Sequence, residues 1–313
     1  MRHAEGISTL AEALPSSLAE RLERQYGGRQ AALIAEGYAA RRRTTLRANT
    51  LKADRGCIAS QLDAAGIAWD PAPAPALADA IVIREEREPA IRALPAYDEG
   101  ALYLQSLSAM LPGVALAPAP DENILDMAAA PGGKTCHMAA LSEGKALICA
   151  CEKNHVRAEK LRYNLAKQGA SRVNVMECDA RKLDDFFSFD KVLLDAPCSG
   201  SGTVRIIDGS CKTGFSDELL KRSVKAQQAL LSKALSVLKP GGTMVYATCS
   251  ILEDENERVL EQVLPKAKAQ IVALPDGLLD GVPQLPCRLP EAAVVRPTEL
   301  FEGFFLALIE KTH

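Results

Sequence analysis

The residues from Asn123 to Thr135 read Asn-Ile-Leu-Asp-Met-Ala-Ala-Ala-Pro-Gly-Gly-Lys-Thr. An apolar run that ends at a carboxylate predicts a buried strand over Asn123–Met127, and a helix is predicted over Thr135–Leu141. The glycines between them permit close approach of the backbone to a ligand. The turn matches neither Gly-x-Gly-x-x-Gly nor a Walker A loop, which argues against dinucleotides and nucleoside triphosphates.

The same strand–turn–helix pattern recurs along the rest of the chain. We predict further strands over residues 146–151, 173–176, 191–195, 244–248 and 303–309, with helices over 155–168, 223–238 and 254–264. Apolar strands that alternate with helices predict a parallel, doubly wound sheet. The fold class is therefore α/β, with this domain spanning residues 99–313.

Residues 1–98 have a different pattern, which is typical of a small α+β domain. A capped helix is predicted to begin near Leu14-Pro15-Ser16-Ser17, and a second helix after the Gly27-Gly28 break. Strands are predicted over 45–50 and 80–83, with a helix over 57–65 between them. A helix over 102–111 is predicted at the start of the second domain.

Composition excludes several classes of protein. Of the 313 residues, 48% are hydrophobic and 25% charged, as in globular proteins and unlike disordered chains. No apolar run approaches the length of a membrane span. The nine cysteines are odd in number, no export signal is recognisable, and no Cys-x-x-Cys pair occurs. We therefore expect reduced thiols in the cytoplasm and no metal site.

Three carboxylates stand at the predicted ends of strands. Glu152 lies 19 residues after Gly133, and Asp179 and Asp195 end the next two strands. In an open parallel sheet, ligands bind outside the carboxyl ends of the strands. Carboxylates there can accept hydrogen bonds from the hydroxyl groups of a ribose and from the edge of an adenine. We therefore predict a ligand that contains adenosine and that need not carry a phosphate.

Two cysteines follow strand ends in the same region. Cys198 lies in Asp-Ala-Pro-Cys-Ser-Gly after the strand that ends at Asp195, and Cys249 lies in Thr-Cys-Ser after the next strand. A thiolate can attack an electron-poor carbon. Inert core cysteines or a redox pair are the alternatives.

Longer motifs carry a resemblance to a known family. They are residues 126–135 (DMAAAPGGKT), 194–202 (LDAPCSGSG), 238–242 (LKPGG), 246–250 (YATCS), 47–52 (RANTLK), 255–257 (ENE) and 303–305 (GFF), together with Gln105 and Ser108. The chain resembles the Nol/Nop/Sun family of RNA (cytosine-5)-methyltransferases, of the bacterial rRNA type, from about Leu14 to Lys311. It departs from the family at Ala128, where cysteine is common, and at Glu152, where aspartate is common.

The resemblance implies a Rossmann-like methyltransferase sheet that uses S-adenosylmethionine, preceded by a domain similar to an RNA-recognition module. By residue match, Glu152 would hold the ribose of the donor, Asp179 the adenine, and Asp195 would lie between donor and target base. Cys249 matches the nucleophile and Cys198 the cysteine that releases product. The methionine and ribose parts would be surrounded by Ala128, Ala129, Ala130, Pro131, Gly132, Gly133 and Lys134.

RNA is the expected partner, with ribosomal RNA first and transfer RNA second. The net charge is −3, so we expect phosphate contacts to come from a local cluster of basic residues. That cluster is predicted to contain Arg41, Arg42, Arg43, Arg47, Lys52 and Arg55. We expect a monomer that binds neither DNA nor membranes.

Two other functions remain as alternatives. One is a DNA cytosine-5 methyltransferase that uses Cys198 as its nucleophile, and the other is a donor-binding RNA assembly factor without catalysis.

Overall fold

The computed structural model describes residues 13–85 and 88–312, which form two sheets, one hairpin and the surrounding helices. The helices are α1 (Ser16–Ala39), α2 (Arg55–Ala64), α3 (Glu88–Arg92), α4 (Pro95–Asp98), α5 (Leu107–Leu116), α6 (Gly133–Leu141), α7 (His155–Gln168), α8 (Asp217–Val237) and α9 (Glu257–Val263). The strands up to residue 176 are β1 (Thr45–Ala48), β2 (Trp69–Pro71), β3 (Ala80–Ile83), β4 (Leu102–Leu104), β5 (Asn123–Asp126), β6 (Leu147–Cys151) and β7 (Val173–Met176). The later strands are β8 (Phe189–Asp195), β9 (Arg205–Ile207), β10 (Ser210–Lys212), β11 (Leu238–Thr248), β12 (Ala269–Val272), β13 (Gln284–Leu285), β14 (Ala293–Val295) and β15 (Phe304–Lys311).

The large sheet has nine strands, in the order β13-β14-β15-β11-β8-β5-β6-β7, with β12 paired to β15. Strands β11, β8, β5, β6 and β7 are parallel, which confirms the predicted α/β sheet. The last strand, predicted over 303–309, forms but runs antiparallel to β11, and it also pairs antiparallel with β14 and β12. The sheet is therefore mixed, and residues 269–295, in which we predicted no strands, supply one of its edges.

Both faces of this sheet are covered. Leu125, Val192 and Tyr246 pack in one cluster with α8, α9 and α1, while Ile124 and Val245 pack in another with α5 and α6. Parallel strands buried on both faces require continuous apolar runs. This is why these strands were recognisable in the sequence. Among residues 13–85 and 88–312, no helix is both long and apolar enough to cross a membrane.

The small sheet has the order β2-β3-β1-β4, and all its pairs are antiparallel. The helix predicted over 102–111 is wrong at its start, because Leu102–Leu104 pairs with β1 as strand β4, and the helix begins only after the Ser106 cap. Pairing in a sheet outweighs local helix propensity here. The small sheet thus takes its fourth strand from beyond residue 98, and the division at 98/99 stays a prediction.

Helix α1 joins the N-terminal region to the large sheet. Its Leu18, Leu22 and Ile34 are fully buried in the cluster that contains Val192 and Tyr246. The predicted side-chain cap at its start is wrong, since Pro15 precedes the helix and makes no such bond. The predicted break is present as a kink at Gly27, whose φ of 74° is readily adopted by glycine. The first domain is therefore packed against the second through a buried helix face.

Candidate active site at the strand ends

The turn after β5 is fixed by a buried carboxylate. Asp126 is 1% exposed, and its Oδ2 accepts a hydrogen bond from Thr135 Oγ1 at 2.7 Å. Burial raises the pKa of Asp126 to about 6, although the hydrogen bond from Thr135 opposes the shift. Gly132 has φ 111°, a conformation that side chains rarely adopt, and it precedes the first residue of α6. The turn of small residues predicted from the sequence is therefore present.

Glu152 follows β6 and is almost fully buried at the floor of a cleft. Its Oε1 accepts from the backbone N–H of Asn154 at 2.8 Å, and its Oε2 pairs with Arg157 Nη1 at 3.2 Å. These contacts hold the carboxylate in one orientation. The aspartate common at this position has a shorter side chain, so Glu152 reaches further from its strand.

Asp179 follows β7 and is held by Arg181. The guanidinium of Arg181 donates to both carboxylate oxygens, at 2.9 Å and 2.5 Å, and the backbone N–H of Arg181 also donates to Asp179. These bonds lower the pKa of Asp179 to about 2. The carboxylate therefore stays ionised, and Arg181 takes up part of its hydrogen-bonding capacity.

Asp195 ends β8 and forms an ion pair with a lysine from the β5–α6 turn. Lys134 Nζ donates to Asp195 Oδ2 at 2.7 Å and lies 5.6 Å from the centre of the Phe304 ring. Burial opposes the charge on Lys134, but the charge and hydrogen bond of Asp195 outweigh it and raise the pKa of Lys134. A negative charge on Cys249 would act in the same direction, and Asp195, the partner of Lys134, lines the same cleft as Cys249.

The two predicted cysteines meet at this point. Cys198 Sγ and Cys249 Sγ are 3.0 Å apart, although 51 residues separate them in the chain. They come from the ends of β8 and β11, which are neighbours in the sheet. The hydrogen bond with Cys249, together with burial, raises the pKa of the Cys198 thiol well above its usual value. The pair is therefore a shared chemical site rather than two isolated core residues.

A buried polar network supports the two cysteine loops. Glu255 accepts from the backbone N–H of Ser199 at 2.7 Å and from Ser199 Oγ at 2.6 Å. Asn256 accepts from Thr248 Oγ1 at 2.6 Å and donates to the carbonyl of Ser250 at 3.0 Å. We did not assign Glu255 and Asn256 a role from the sequence. The available signal was that residues 255–257 are among the motifs that carry the family resemblance.

The cleft around the thiols, here called the thiol cleft, has a volume of about 360 Å³. An adjoining cavity of about 240 Å³, here called the turn cavity, shares Ala128, Ala130 and Asp195 with it. The predicted site residues in the thiol cleft are Ala128, Ala130, Glu152, Asp179, Asp195, Cys198 and Cys249. Those in the turn cavity include Ala129, Pro131, Gly133 and Lys134. Gly132 lines neither cavity and instead lies close to Leu161.

The order of these groups follows the order of the sheet. Cys249, Asp195, the turn at Ala128, Glu152 and Asp179 stand after β11, β8, β5, β6 and β7, which are five consecutive parallel strands. Ligands bind at this edge of open parallel sheets. The described part of the chain contains no group of three or more His, Cys, Asp or Glu side chains arranged to hold a metal ion.

The predicted basic cluster is only partly correct. Arg47 is 1% exposed, so it cannot contact RNA phosphates, and its Nε lies 3.4 Å from Gln105 Oε1. Thr45–Ala48 forms the predicted strand β1, but all four of its residues are buried, so it has no exposed face for Arg47. Lys52 bonds to the carbonyls of Glu99 and Lys167, away from Arg41 to Arg43. Arg41, Arg42 and Arg43 do line a common groove.

Two family models match the chain. The model described as "16S rRNA methyltransferase RsmB/F" matches residues 113–310, and a model for the ferredoxin-like domain of RsmF/B-like methyltransferases matches residues 14–88. The first match alone covers more than half of the chain, and the second explains the small antiparallel sheet.

Relatives and a solved structure agree with the family models. The chain is 36% identical to ribosomal RNA small subunit methyltransferase F of Shewanella oneidensis, over 86% of this chain and 57% of the relative. It is 37% identical to 25S rRNA (cytosine-C(5))-methyltransferase nop2 of Schizosaccharomyces pombe, over 80% of this chain and 41% of the relative. It is also similar to the structure of a methyltransferase homologue from Pyrococcus horikoshii, with a TM-score of 0.77 and 30% identity over 95% of this chain and 100% of the other.

The chain thus spans between two fifths and three fifths of the length of these two curated relatives. The fold is a Rossmann-like methyltransferase sheet, as the resemblance implied, and the N-terminal domain is ferredoxin-like. On the family-model match, the motifs and the arrangement of the two thiols, the chain belongs to the RsmB/F family of 16S rRNA methyltransferases.

Proposed function

We propose that the chain methylates C5 of a cytosine in RNA with S-adenosylmethionine, using Cys249 as the nucleophile and Cys198 to release the product. The observation that carries the proposal is the 3.0 Å separation of the two thiols, beside the Asp195–Lys134 ion pair and at the carboxylate-lined edge of the sheet. A thiol pair with an adjacent cation is suited to form a thiolate and to move a proton.

The shape and polarity of the thiol cleft fit the donor. Together with the turn cavity, the cleft has the size typical of small-ligand pockets. Glu152 would hold the ribose hydroxyls, Asp179 the adenine edge, and the segment from Ala128 to Lys134 the methionine part. When bound, the donor supplies a methyl group carried on a positively charged sulfur. The ionised carboxylates of this cleft favour a cationic ligand.

Cys249 makes the weakly nucleophilic C5 reactive. The Cys249 thiolate adds to C6, a C6–S bond forms, and the electron pair of the C5–C6 double bond becomes available at C5. That pair bonds the methyl carbon as the methyl–sulfur bond of the donor breaks, its electrons remain on sulfur, and S-adenosylhomocysteine leaves. The Lys134 ammonium stabilises the thiolate before attack. In this mechanism the Asp195 carboxylate hydrogen-bonds the amino or ring-nitrogen edge of the cytosine, which must be unstacked to enter the cleft.

Cys198 completes the reaction. As a thiolate or through a water molecule, it takes the proton from C5. The C5–H electron pair reforms the C5–C6 double bond, the C6–S bond breaks, and Cys249 leaves as a thiolate. The network of Glu255 and Ser199 keeps Cys198 within reach of the adduct.

Ribosomal RNA is the first candidate substrate, because the relatives carry names of ribosomal RNA methyltransferases. Transfer RNA is the second. We further propose that the chain acts as a monomer in the cytoplasm and does not modify DNA.

The test measures transfer of labelled methyl from S-adenosylmethionine to unmodified ribosomal RNA and transfer RNA. We expect 5-methylcytosine from the wild type, no product from Cys249→Ala, and a covalent RNA adduct from Cys198→Ala. Cys57→Ala is the matched control, since Cys57 is exposed and outside the cleft. Full activity of Cys249→Ala would disprove the mechanism and make Cys198 the nucleophile. Donor binding without transfer to any RNA would favour an assembly factor.

A further inference from the structure

A groove lies where the N-terminal domain, the β9–β10 hairpin and the segment before β15 meet. It has a volume of about 950 Å³. Arginines from three distant segments line it, namely Arg41, Arg42, Arg43, Arg84 and Arg205. We call this surface the arginine groove. Arg84 and Arg205 were not part of the cluster predicted from the sequence.

The arginine groove contains two arginines that are free to bind an anion. Of its five arginines, Arg42 pairs with Glu302, Arg43 with Glu299 and Arg84 with Asp70. The net charge of the whole chain is −3. Arg41 and Arg205 are exposed, and neither has a carboxylate within ion-pair distance among residues 13–85 and 88–312. The free charge of the groove therefore lies mainly on these two residues.

Arg42 is the least exposed of the five arginines in the groove. Its side chain is only 15% exposed, and its Nη1 lies 3.3 Å from Glu302. Its Nη2 is buried and has no hydrogen-bond partner within the described chain. Burial lowers the pKa of Arg42, and the nearby positive charge of Arg205 adds to this shift, while Glu302 opposes it. A buried donor without a partner costs free energy, which a phosphate oxygen in contact with Arg42 would recover.

The groove adjoins the cavities of the proposed active site. Arg42, Arg43 and Arg205 also line a cavity of about 540 Å³. That cavity shares Leu104 and Gln105 with the turn cavity, which in turn adjoins the thiol cleft. The arginines and the proposed active site therefore lie on adjoining parts of the molecule.

We propose that the arginine groove binds the backbone phosphates of a single RNA strand next to the nucleotide whose base enters the thiol cleft. This rests on the proposed function and adds to it the path of the strand. Guanidinium groups match the oxygens of a phosphate in a bidentate manner. A single strand is favoured because the reactive base must be unstacked before Cys249 can reach it.

The experiment compares wild type with Arg41→Gln/Arg205→Gln, since both side chains are exposed and can be replaced without disturbing the core. Binding of an unstructured oligoribonucleotide with one cytosine is measured by fluorescence anisotropy over a range of salt concentrations, without donor. We expect the double variant to bind at least about tenfold more weakly. The slope of log affinity against log salt should fall by about 0.7 for each phosphate that the variant no longer neutralises.

The matched control is Lys266→Gln/Lys268→Gln, which removes two exposed positive charges outside these cavities. Unchanged affinity and slope in the control, with both reduced in the arginine variant, support the inference. Equal reductions in both variants would overturn it, as would binding of a fully paired RNA duplex with the same arginine dependence, or equal competition by polyglutamate.

The same proteins are also assayed for methyl transfer. If wild type transfers no methyl group to any RNA, the proposed function fails, while the anisotropy still reports on the groove. If wild type methylates RNA and the arginine variant binds it normally, only the inference about the groove fails.

Discussion

The thiol cleft takes its reactive side chains from the ends of five consecutive parallel strands, whereas the arginine groove takes its side chains from three segments far apart in the chain. In the cleft, the groups are half-buried or buried and bonded to one another. In the groove, the residues that carry the free charge are exposed. The difference indicates that the chemistry depends on buried side chains in a fixed arrangement, while affinity for a polyanion depends on accessible charge. Variants of the two regions should therefore differ in their effects on kcat, KM, the free energy of unfolding and its dependence on pH.

The largest effect is expected from Asp195→Asn. This change removes the charge that pairs with Lys134, so we expect kcat to fall roughly 10²–10³-fold with little change in affinity for RNA. Arg41→Gln/Arg205→Gln should instead raise KM for RNA more than it lowers kcat. Steady-state kinetics with varied RNA concentration measure both constants. If Asp195→Asn mainly raised KM, the functional distinction between cleft and groove would be wrong.

The next effect concerns the network beneath Cys198. Glu255→Ala leaves the buried N–H and hydroxyl of Ser199 without their acceptor, so we expect a loss of about 3 kcal/mol in the free energy of unfolding. Activity should fall with it, because Cys198 loses its support. Urea denaturation measures the stability. Glu261→Ala, on the surface, should change it by less than about 0.5 kcal/mol, and equal losses in the two variants would contradict the role of Glu255.

Buried carboxylates make the cleft region sensitive to pH, which the groove arginines are not. The folded-state pKa of Asp126 is about 6, above its ordinary value of 3.8, so the folded protein binds the proton more tightly than the unfolded chain. The stabilising contribution of neutral Asp126 is complete below about pH 4 and is lost as the pH rises through about 6. Wild type should therefore lose stability relative to Asp126→Asn over this range. A constant difference between the two proteins would show that Asp126 does not titrate in this way.

The smallest effect is expected at a residue that belongs to both regions. Tyr38 lines the arginine groove, and its hydroxyl donates to the carbonyl of Ser201 in the loop after Cys198. Tyr38→Phe removes one buried hydrogen bond, so we expect a loss of about 1 kcal/mol in thermal or urea unfolding. If Tyr38→Phe kept the stability and the activity of the wild type, the groove and the cysteine loop would not be coupled through α1.

The parallel strands and the strand-end residues were predictable because each is encoded locally. An apolar run followed by a carboxylate or a cysteine places that group at the ligand-binding edge of the sheet. Glu152, Asp179, Asp195, Cys198 and Cys249 were all named from such runs, and all line one cleft. Their catalytic and donor-binding roles stay predictions until the variants are measured.

Other features depended on contacts between distant segments. Leu102–Leu104 looked helical but pairs with β1, and the antiparallel edge of the large sheet has short strands with little local pattern. Arg47 looked like a surface cation but is 1% exposed and lies against Gln105, which follows β4. In each case, the decisive energy comes from pairing or burial against a part of the chain that no local window contains.

The sequence by itself determined the fold class, the family and the residues at the ends of the parallel strands, because strand period, turn chemistry and motif spacing are properties of short segments. Only the tertiary structure decided that the two thiols are 3.0 Å apart, that Glu255 and Asn256 support their loops, and that Arg84 and Arg205 join Arg41 to Arg43. The physical reason is that distance and solvent access are set by how strands pair and helices pack, and these depend on the whole chain at once.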